Sequence, residues 1–363
     1  MLIDYSSLLY RAFHSLPETI PMRGVYGFLG MLARLLLDRR PEQLALAVDD
    51  DWRPAFRVTA LPTYKTHRLS DEPDPVEADE ALGRRLLGAL GFAVVGAPGF
   101  EGEDVIATLA ARARGAVEIV SGDRDLFALV RDPDVRVLYP LTGVTKLLVV
   151  DEAEIGRRYG IPGRAYGDFA LLRGDPSDGL PGVPGIGEKT AAALIARHGS
   201  LGAVLTSRSL SPSIARRIDA AREYLAAASR VVLPVASVPL PPCALALPAA
   251  PAKPRLARQL AREHRLDAAV AEAGARRAGP AVVEVPEAHQ DQPRGLDGTV
   301  GALEGEAAVG QLRRRDADAL QQNTGFCDLS RAHPRVPLDR PPVHDRAGGF
   351  LEGPQALRKI HRE

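Results

Sequence analysis

Residues 174–198 read GDPSDGLPGVPGIGEKTAAALIARH, and the stretch carries two signals. Asp175 and Asp178 stand three apart among turn residues. Behind them Gly182, Val183, Gly185 and Gly187 fall in GVPGIG, then come Lys189, Thr190 and an apolar helical pattern. Glycine lets a backbone turn sharply and approach another group closely. The start of the following helix offers free N–H groups, which suit a phosphate, and Lys189 adds positive charge. The pattern predicts the second half of a helix–hairpin–helix, a unit that holds one duplex strand by its backbone without reading sequence. A plain loop stiffened by proline would not require the GxGxKT arrangement.

Outward from this stretch, short apolar runs alternate with helical patterns. LALAV (44–48), FAVV (92–95) and VEIV (117–120) read as strands. YGFLGMLARLLLDRR (26–40), VEADEALGRRLLGALG (76–91) and EDVIATLAARAR (103–114) have helical period. Such alternation predicts an α/β fold with a parallel sheet. VRVLYP (135–140) and TKLLVV (145–150), joined by LTGV, read as a hairpin. Helices are expected over 187–197 and, as a pair, within 213–229; VVLPV (231–235) reads as a short late strand. PLPPCALALPAAPAKP, from about residue 239, reads as a linker, and 256–277 is helical again. From 279 to 363 no period persists, and the scattered apolar residues do not offset the entropy of ordering, so a disordered tail is expected there.

Ligands of open parallel sheets bind beyond the carboxyl ends of the strands. Carboxylates gather at those places. Asp4 follows MLI and Asp49 follows LALAV. Glu101, Glu103 and Asp104 lie in GFEGEDVIATLA, Asp123 and Asp125 in SGDRD, Asp175 and Asp178 in GDPSDG. Singly, each has an ordinary explanation as a solvated side chain, a helix cap or a first-turn acid. Aimed together at one crevice they would repel one another and raise each other's pKa. Divalent cations held by oxygen relieve that repulsion, and Mg²⁺ favours carboxylates combined with phosphate oxygens. Two such ions about 4 Å apart polarise a phosphodiester and stabilise its leaving oxygen.

The segment DWRPAFRVTALPTYKTHR (51–68) mixes Arg53, Arg57, Lys65, His67 and Arg68 with Trp52, Phe56 and Tyr64. Cations with aromatics suit phosphate contact and base stacking; the competing reading is a solvated basic loop whose aromatics face the core. Lys65 and Arg68 are the candidates to stabilise charge on a phosphoryl group.

The chain's 363 residues contain 46 Lys plus Arg and 46 Asp plus Glu, so the formal net charge is zero. A nucleic-acid partner then requires a local basic patch. The length allows one large or two modest domains. Cys243 and Cys327 form neither a zinc spacing nor a disulfide framework, so a reducing cytoplasm is expected. No apolar run approaches the ~20 residues of a membrane-spanning helix, and MLIDYSS has no signal-peptide pattern.

In order and spacing, LIDYSSLLYRAFH, AVDDDWRPAFR, PTYKTHR, GFEGEDVIATLA, SGDRDLFALV and LLRGDPSDGLPGVPGIGEKTAAALI resemble the bacterial 5′–3′ exonuclease family, the flap-nuclease domain also found at the front of DNA polymerase I. The resemblance runs from residue 1 to about 275. It implies a PIN-like parallel-sheet α/β core with a helical arch over 1–160 and a helix–hairpin–helix subdomain over 161–278, in a stand-alone monomer. It also implies an enzyme that cuts DNA at 5′ ends, flaps or nicks with two Mg²⁺ (or Mn²⁺). Carried onto this chain, the metal ligands or their water-mediated neighbours are Asp4, Asp49, Glu101, Glu103, Asp104, Asp123, Asp125, Asp175 and Asp178. Lys65 and Arg68 stand at the base of the arch and act with Asp123. Arg57 is assigned to DNA, and Tyr64 to stacking on a terminal base. Gly182, Val183, Gly185, Gly187, Lys189 and Thr190 grip the duplex, with a monovalent cation such as K⁺.

Two positions depart from the family pattern. Tyr5 stands where the family has a small residue and is expected to crowd the first metal ligand. Glu103 stands where the family has Asp, and a displacement of about 1 Å costs on the order of a hundredfold in rate. They leave room for a catalytically weakened DNA-structure-binding protein of the same fold. A PIN-like ribonuclease shares the acidic crevice but lacks the hairpin and the arch.

Overall fold

The computed structural model describes residues 1–277, with side chains to 274; the tail expected at 279–363 lies outside the described residues. The elements are β1 (Leu2–Asp4), α1 (Tyr5–Ser15), α2 (Arg23–Arg39), β2 (Ala45–Ala47), α3 (Ala55–Ala60), α4 (Glu77–Leu90), β3 (Ala93–Val95), α5 (Gly102–Arg112), β4 (Val117–Val120), β5 (Val135–Thr142) and β6 (Lys146–Val150). Then come α6 (Glu152–Tyr159), α7 (Tyr166–Arg173), α8 (Glu188–His198), α9 (Leu201–Thr206), α10 (Pro212–Ala220), α11 (Arg222–Val232), α12 (Pro254–Glu263) and α13 (Asp267–Arg277).

The strands form one sheet in the order β3-β2-β1-β4-β5-β6. All neighbours are parallel except β5 and β6, which make the expected hairpin. Side chains alternate between the two faces of a strand, and two cores result. Leu2, Ala45, Ala47, Ile119 and Val137 join the core that contains α5 and α7–α11. Ile3, Leu46 and Leu138 join the core of α1, α2, α4, α12 and α13. Their parallel register, Ile3 opposite Leu46 and Val120, brings the carboxyl ends of β1, β2 and β4 to one edge.

Four expectations are corrected. Val231 and Val232 belong to α11, buried with Leu225 and Ala228 at helical spacing, so 231–235 contains no strand. Pro234 also lacks the N–H a ladder needs. Residues 61–76 do not form a helical arch: they hold a single 3-10 turn, Thr66–Arg68, in a segment punctuated by Pro62, Pro73 and Pro75. The linker is tied down: Leu44 N–H donates to Leu245 O at 2.8 Å and Lys253 N–H to Ala89 O at 2.9 Å. It carries the chain to α12, which packs on α4, while α13 packs on α2. Tyr5 does not crowd the cleft. It is 0 % exposed, packs edge-on against Phe28 with centroids 4.8 Å apart and donates its hydroxyl to Glu80 O. Gly83 leaves the space, since a Cβ there would lie 1.9 Å from the Tyr5 hydroxyl.

Candidate active site

Asp4 ends β1 and caps α1. One carboxylate oxygen accepts from Ser7 N–H at 3.1 Å and the other from the Ser121 hydroxyl at 2.6 Å. Asp49 lies just past β2 and accepts from Gly102 N–H, at 2.6 Å, at the start of α5. Asp123 lies just past β4 and accepts from Asp125 N–H at 2.9 Å, which turns the chain into a short 3-10 helix. Asp175 caps the turn Pro176–Asp178 through Ser177 N–H at 2.9 Å and is paired with Arg173 at 3.3 Å. Parallel strand ends and the turn before α8 thus bring carboxylates from distant segments within electrostatic reach of one another.

These groups act on one another electrostatically. Burial pushes the Asp4 carboxyl up to about 7, helped by Asp49 and Asp123. Asp123 is raised by desolvation and then by Asp178 and Asp175. Asp125 is raised well above the usual carboxylate range by burial, then by Asp123, Asp178 and Asp175. Glu103 is raised well above it too, by burial that outweighs the lowering effect of Arg57, with Glu101 and Asp123 pushing the same way. In each case burial is the largest cause, and neighbouring carboxylates push the same way.

Below this cluster three carboxylates are clamped. Arg57, on α3, is 0 % exposed. Its guanidinium meets Glu101, Glu103 at 2.7 Å and Asp104 at 2.7 Å, and its Nε donates to Val231 O at 3.1 Å. Glu101 also accepts from the Tyr64 hydroxyl at 2.8 Å and the Lys65 ammonium at 2.5 Å. Three assignments change as a result. Arg57 is a buried counter-ion and does not face DNA. Tyr64 is 0 % exposed with its hydroxyl on Glu101, so it has no face for a terminal base. Asp104 has both oxygens engaged: Arg57 and Val235 N–H on one, Arg57 and Glu101 N–H on the other. It is a structural anchor rather than a metal ligand. An Arg within an aromatic-rich stretch gives no sequence signal that separates a phosphate contact from a buried clamp.

Lys65 and Arg68 converge on the second carboxylate turn. Lys65 N–H donates to Asp178 O at 3.0 Å, its ammonium lies 3.9 Å from the Asp178 carboxylate, and Arg68 reaches that carboxylate at 3.2 Å. Arg68 remains 43 % exposed, open to a substrate.

The stretch 174–187 forms a turn between α7 and α8. Val183 and Ile186 are buried and fasten it to the core, while Gly185, Gly187 and Lys189 are exposed and Thr190 half-buried. Val183 therefore serves as an anchor, its N–H on Leu172 O at 3.0 Å. Gly182 is also spoken for: its N–H donates to the Tyr224 hydroxyl at 3.1 Å. Its φ is 68°, and a Cβ there would lie 2.5 Å from Arg173 O. No side chain caps α8 at Gly187, so its first N–H groups are free for an external acceptor. Sequence reading missed Tyr224 and Arg217. Arg217 donates to Pro184 O at 3.0 Å and with Tyr224 lines a cavity of about 560 Å³ beside the turn. Both lie on amphipathic helices whose pattern reports only the buried side.

Among the described residues, no three His, Cys, Asp or Glu side chains already converge as ligands of one ion. The donor set nevertheless fits hard divalent cations: it is all oxygen and crowded, and the buried Asp125 Oδ1 has no hydrogen-bond partner. Among the described residues no helix is long and apolar enough to cross a membrane.

Two family models match end to end, the 5′–3′ exonuclease N-terminal resolvase-like domain over residues 1–160 and the 5′–3′ exonuclease C-terminal SAM fold over 161–253. The chain belongs to the 5′–3′ exonuclease family. It is 47 % identical over 273 residues to a Streptomyces coelicolor 5′–3′ exonuclease, covering 69 % of this chain and 91 % of that protein. It is 48 % identical over 211 residues to DNA polymerase I of Mycobacterium bovis, covering 55 % of this chain but 23 % of the polymerase. In fold it is similar to bacteriophage T5 5′-exonuclease with bound zinc, at a TM-score of 0.54 and 18 % identity over 65 % of this chain and 89 % of that one. The family pairs a PIN-like, mostly parallel sheet with a helical C-terminal region, as seen here.

Proposed function

We propose that this protein is a divalent-metal-dependent 5′–3′ exonuclease and 5′-flap endonuclease that hydrolyses DNA phosphodiesters at 5′ ends, flaps or nicks. The observation that carries the reading is the placement of Asp4, Asp49 and Asp123 at the carboxyl ends of β1, β2 and β4, with Glu103, Asp125, Asp175 and Asp178 close enough to act electrostatically within this group. It is supported by the family membership and by the names of the relatives.

In this reading Asp4, Asp49, Glu103 and Asp123 hold one ion, and Asp125, Asp175 and Asp178 hold the other, with Glu101 behind them. The ions are Mg²⁺ or Mn²⁺, and when bound they polarise the phosphodiester and offset charge on its leaving oxygen. Arg57 and Asp104 keep Glu101 and Glu103 from swinging out of the cleft. Lys65 and Arg68, anchored on the Asp178 turn, direct positive charge at the phosphoryl oxygens where negative charge grows. Gly185, Gly187, Lys189 and Thr190 take a duplex phosphate at the uncapped start of α8, with a monovalent cation such as K⁺ at the turn. The protein works as a monomer in the cytoplasm.

The alternative, a DNA-structure-binding protein with weak cutting, rested on Tyr5 and Glu103. Tyr5 gives it no support, because the ring is buried away from the crevice; Glu103, held by Arg57, remains its only motive. A 5′-labelled flap duplex with Mg²⁺, Mn²⁺ or EDTA, cut by the wild type and by Asp123→Ala, separates the readings. Metal-dependent product near the junction, lost in Asp123→Ala, is expected. Tight binding without product in either metal would reject the nuclease.

A further inference from the structure

Twelve of the 29 arginines with described side chains are paired with carboxylates. Arg34 meets Asp38, Arg39 meets Glu118, Arg84 meets Glu80 and Asp50, and Arg157 and Arg158 share Glu154. The arginines outside those twelve are in no ion pair among the described residues, and three of them share α12. α12 presents Arg255, Arg258 and Arg262 at helical spacings of three and four, so they line one face. All three are exposed, as are Lys253 before the helix and Arg265 after it. Among the described residues none of the five is in an ion pair. The acids nearest in sequence are Glu263, which accepts from Gln259 at 2.8 Å, and Asp267. The opposite side of α12, Ala257, Leu260 and Ala261, is buried on the core of α4 and α2.

We propose that the outward face of α12 is a second DNA contact, holding the phosphate backbone of a duplex arm other than the arm held at the 182–190 turn. The proposal rests on the nuclease reading. The two features lie in the cores on opposite faces of the sheet: Val183, Ile186 and Ala191 in one, Ala257 and Leu260 in the other. A branched substrate carries two duplex arms, and these two features on opposite faces of the sheet offer one contact to each. Arg255 to Arg262 spans about 10 Å along the helix, and one DNA strand carries a charge every ~3.4 Å of axis, so three arginines match about three phosphates. A lipid surface fits less well, because an interfacial helix exposes bulky apolar residues beside its cations, and those of α12 are in the core. The matched family region ends at residue 253, one residue before α12.

The test uses the full chain, its Arg255→Glu/Arg258→Glu/Arg262→Glu variant and the matching triple Lys variant. Fluorescent flap DNA with two duplex arms, and a one-arm duplex with a 5′ overhang, are titrated in EDTA over a KCl series. The Glu variant is expected to flatten the dependence of log K on log salt by roughly two to three units on two-arm DNA. Its affinity for that DNA should fall on the order of a hundredfold at low salt, with a smaller loss on one-arm DNA, and the Lys variant should restore the slope. An unchanged slope overturns the proposal, and an equal loss on both substrates overturns the assignment to a second arm. Unchanged DNA binding with lost binding to phosphatidylglycerol vesicles would transfer the face to a lipid headgroup. Cutting of the one-arm substrate by the Glu variant, tested with Asp123→Ala alongside, reads the nuclease separately: its absence from the wild type would reject that reading while the slopes still judge α12.

Discussion

Replacing Arg57 with Ala removes the one cation that touches Glu101, Glu103 and Asp104 together. Glu101 and Asp104 are closed to water and Glu103 is only 11 % exposed, so the carboxylates left behind have little solvent to turn to. Breaking a buried ion pair from one side costs about 3–5 kcal/mol, because a charge stays uncompensated. At about 3 °C per kcal/mol for a chain of this size, the melting temperature should fall on the order of 10 °C. The loss should depend on pH with a definite sign. Glu101 and Glu103 already have raised carboxyl pKa values in the folded protein, and losing Arg57 raises them further. Protonation at acid pH then removes the uncompensated charge, so the variant should lie closer to wild type at pH 5 than at pH 8. Arg57→Lys should recover only part of the loss, since an ammonium cannot reproduce the two-pronged contact with Asp104. Thermal melts by circular dichroism in EDTA at both pH values provide the measurement. A melting temperature within about 1 °C of wild type at pH 8 would refute the buried clamp, because a solvent-facing arginine is worth less than about 0.5 kcal/mol.

Tyr5→Ala should destabilise by about 3–5 kcal/mol through the cavity it leaves, read by urea denaturation, and should not raise cutting per folded molecule; faster cutting would mean that the ring does obstruct the cleft. Gly182→Ala should cost more than about 1 kcal/mol, since φ is 68° and the new Cβ would meet Arg173 O; a neutral melt would contradict the turn geometry. For Asp4, the folded carboxyl titrates at about 7 against a reference of 3.8, so the folded state binds the extra proton between those values. Stability contributed by this group is full below about 4 and is lost as pH rises through 7. Melts in EDTA should show that decline and Mg²⁺ should reverse it at pH 7; a rise in stability over the same window without metal would refute the assignment.

Local pattern reached far in this protein, for reasons visible in particular elements. The runs 44–48, 92–95 and 117–120 became β2, β3 and β4 because a buried parallel strand must be apolar on both faces. The β5–β6 hairpin and helices α2, α4, α5 and α8 followed from periodicity in the same way. The acids at the strand ends were legible because a parallel sheet sends every carboxyl end to one edge, so sequence position implies place. The pattern failed where burial depends on partners distant in the chain. VVLPV reads equally well as a strand or as the apolar tail of a helix, and only the packing of Val231 beside Leu225 and Ala228 made it the end of α11.

What the sequence determined by itself is the order of α and β elements, the acidic residues at the strand ends and the glycine-rich turn before α8, since each depends on neighbours within a few residues. Tertiary structure decided which charges meet. Arg57 and Asp104 are separated by 47 positions and joined in a buried pair, Tyr5 is accommodated by Gly83, and α12 returns to α4 with its cations outward. Charge interactions act through space and depend on burial, and neither the distance nor the depth of a side chain is encoded in its own stretch of chain.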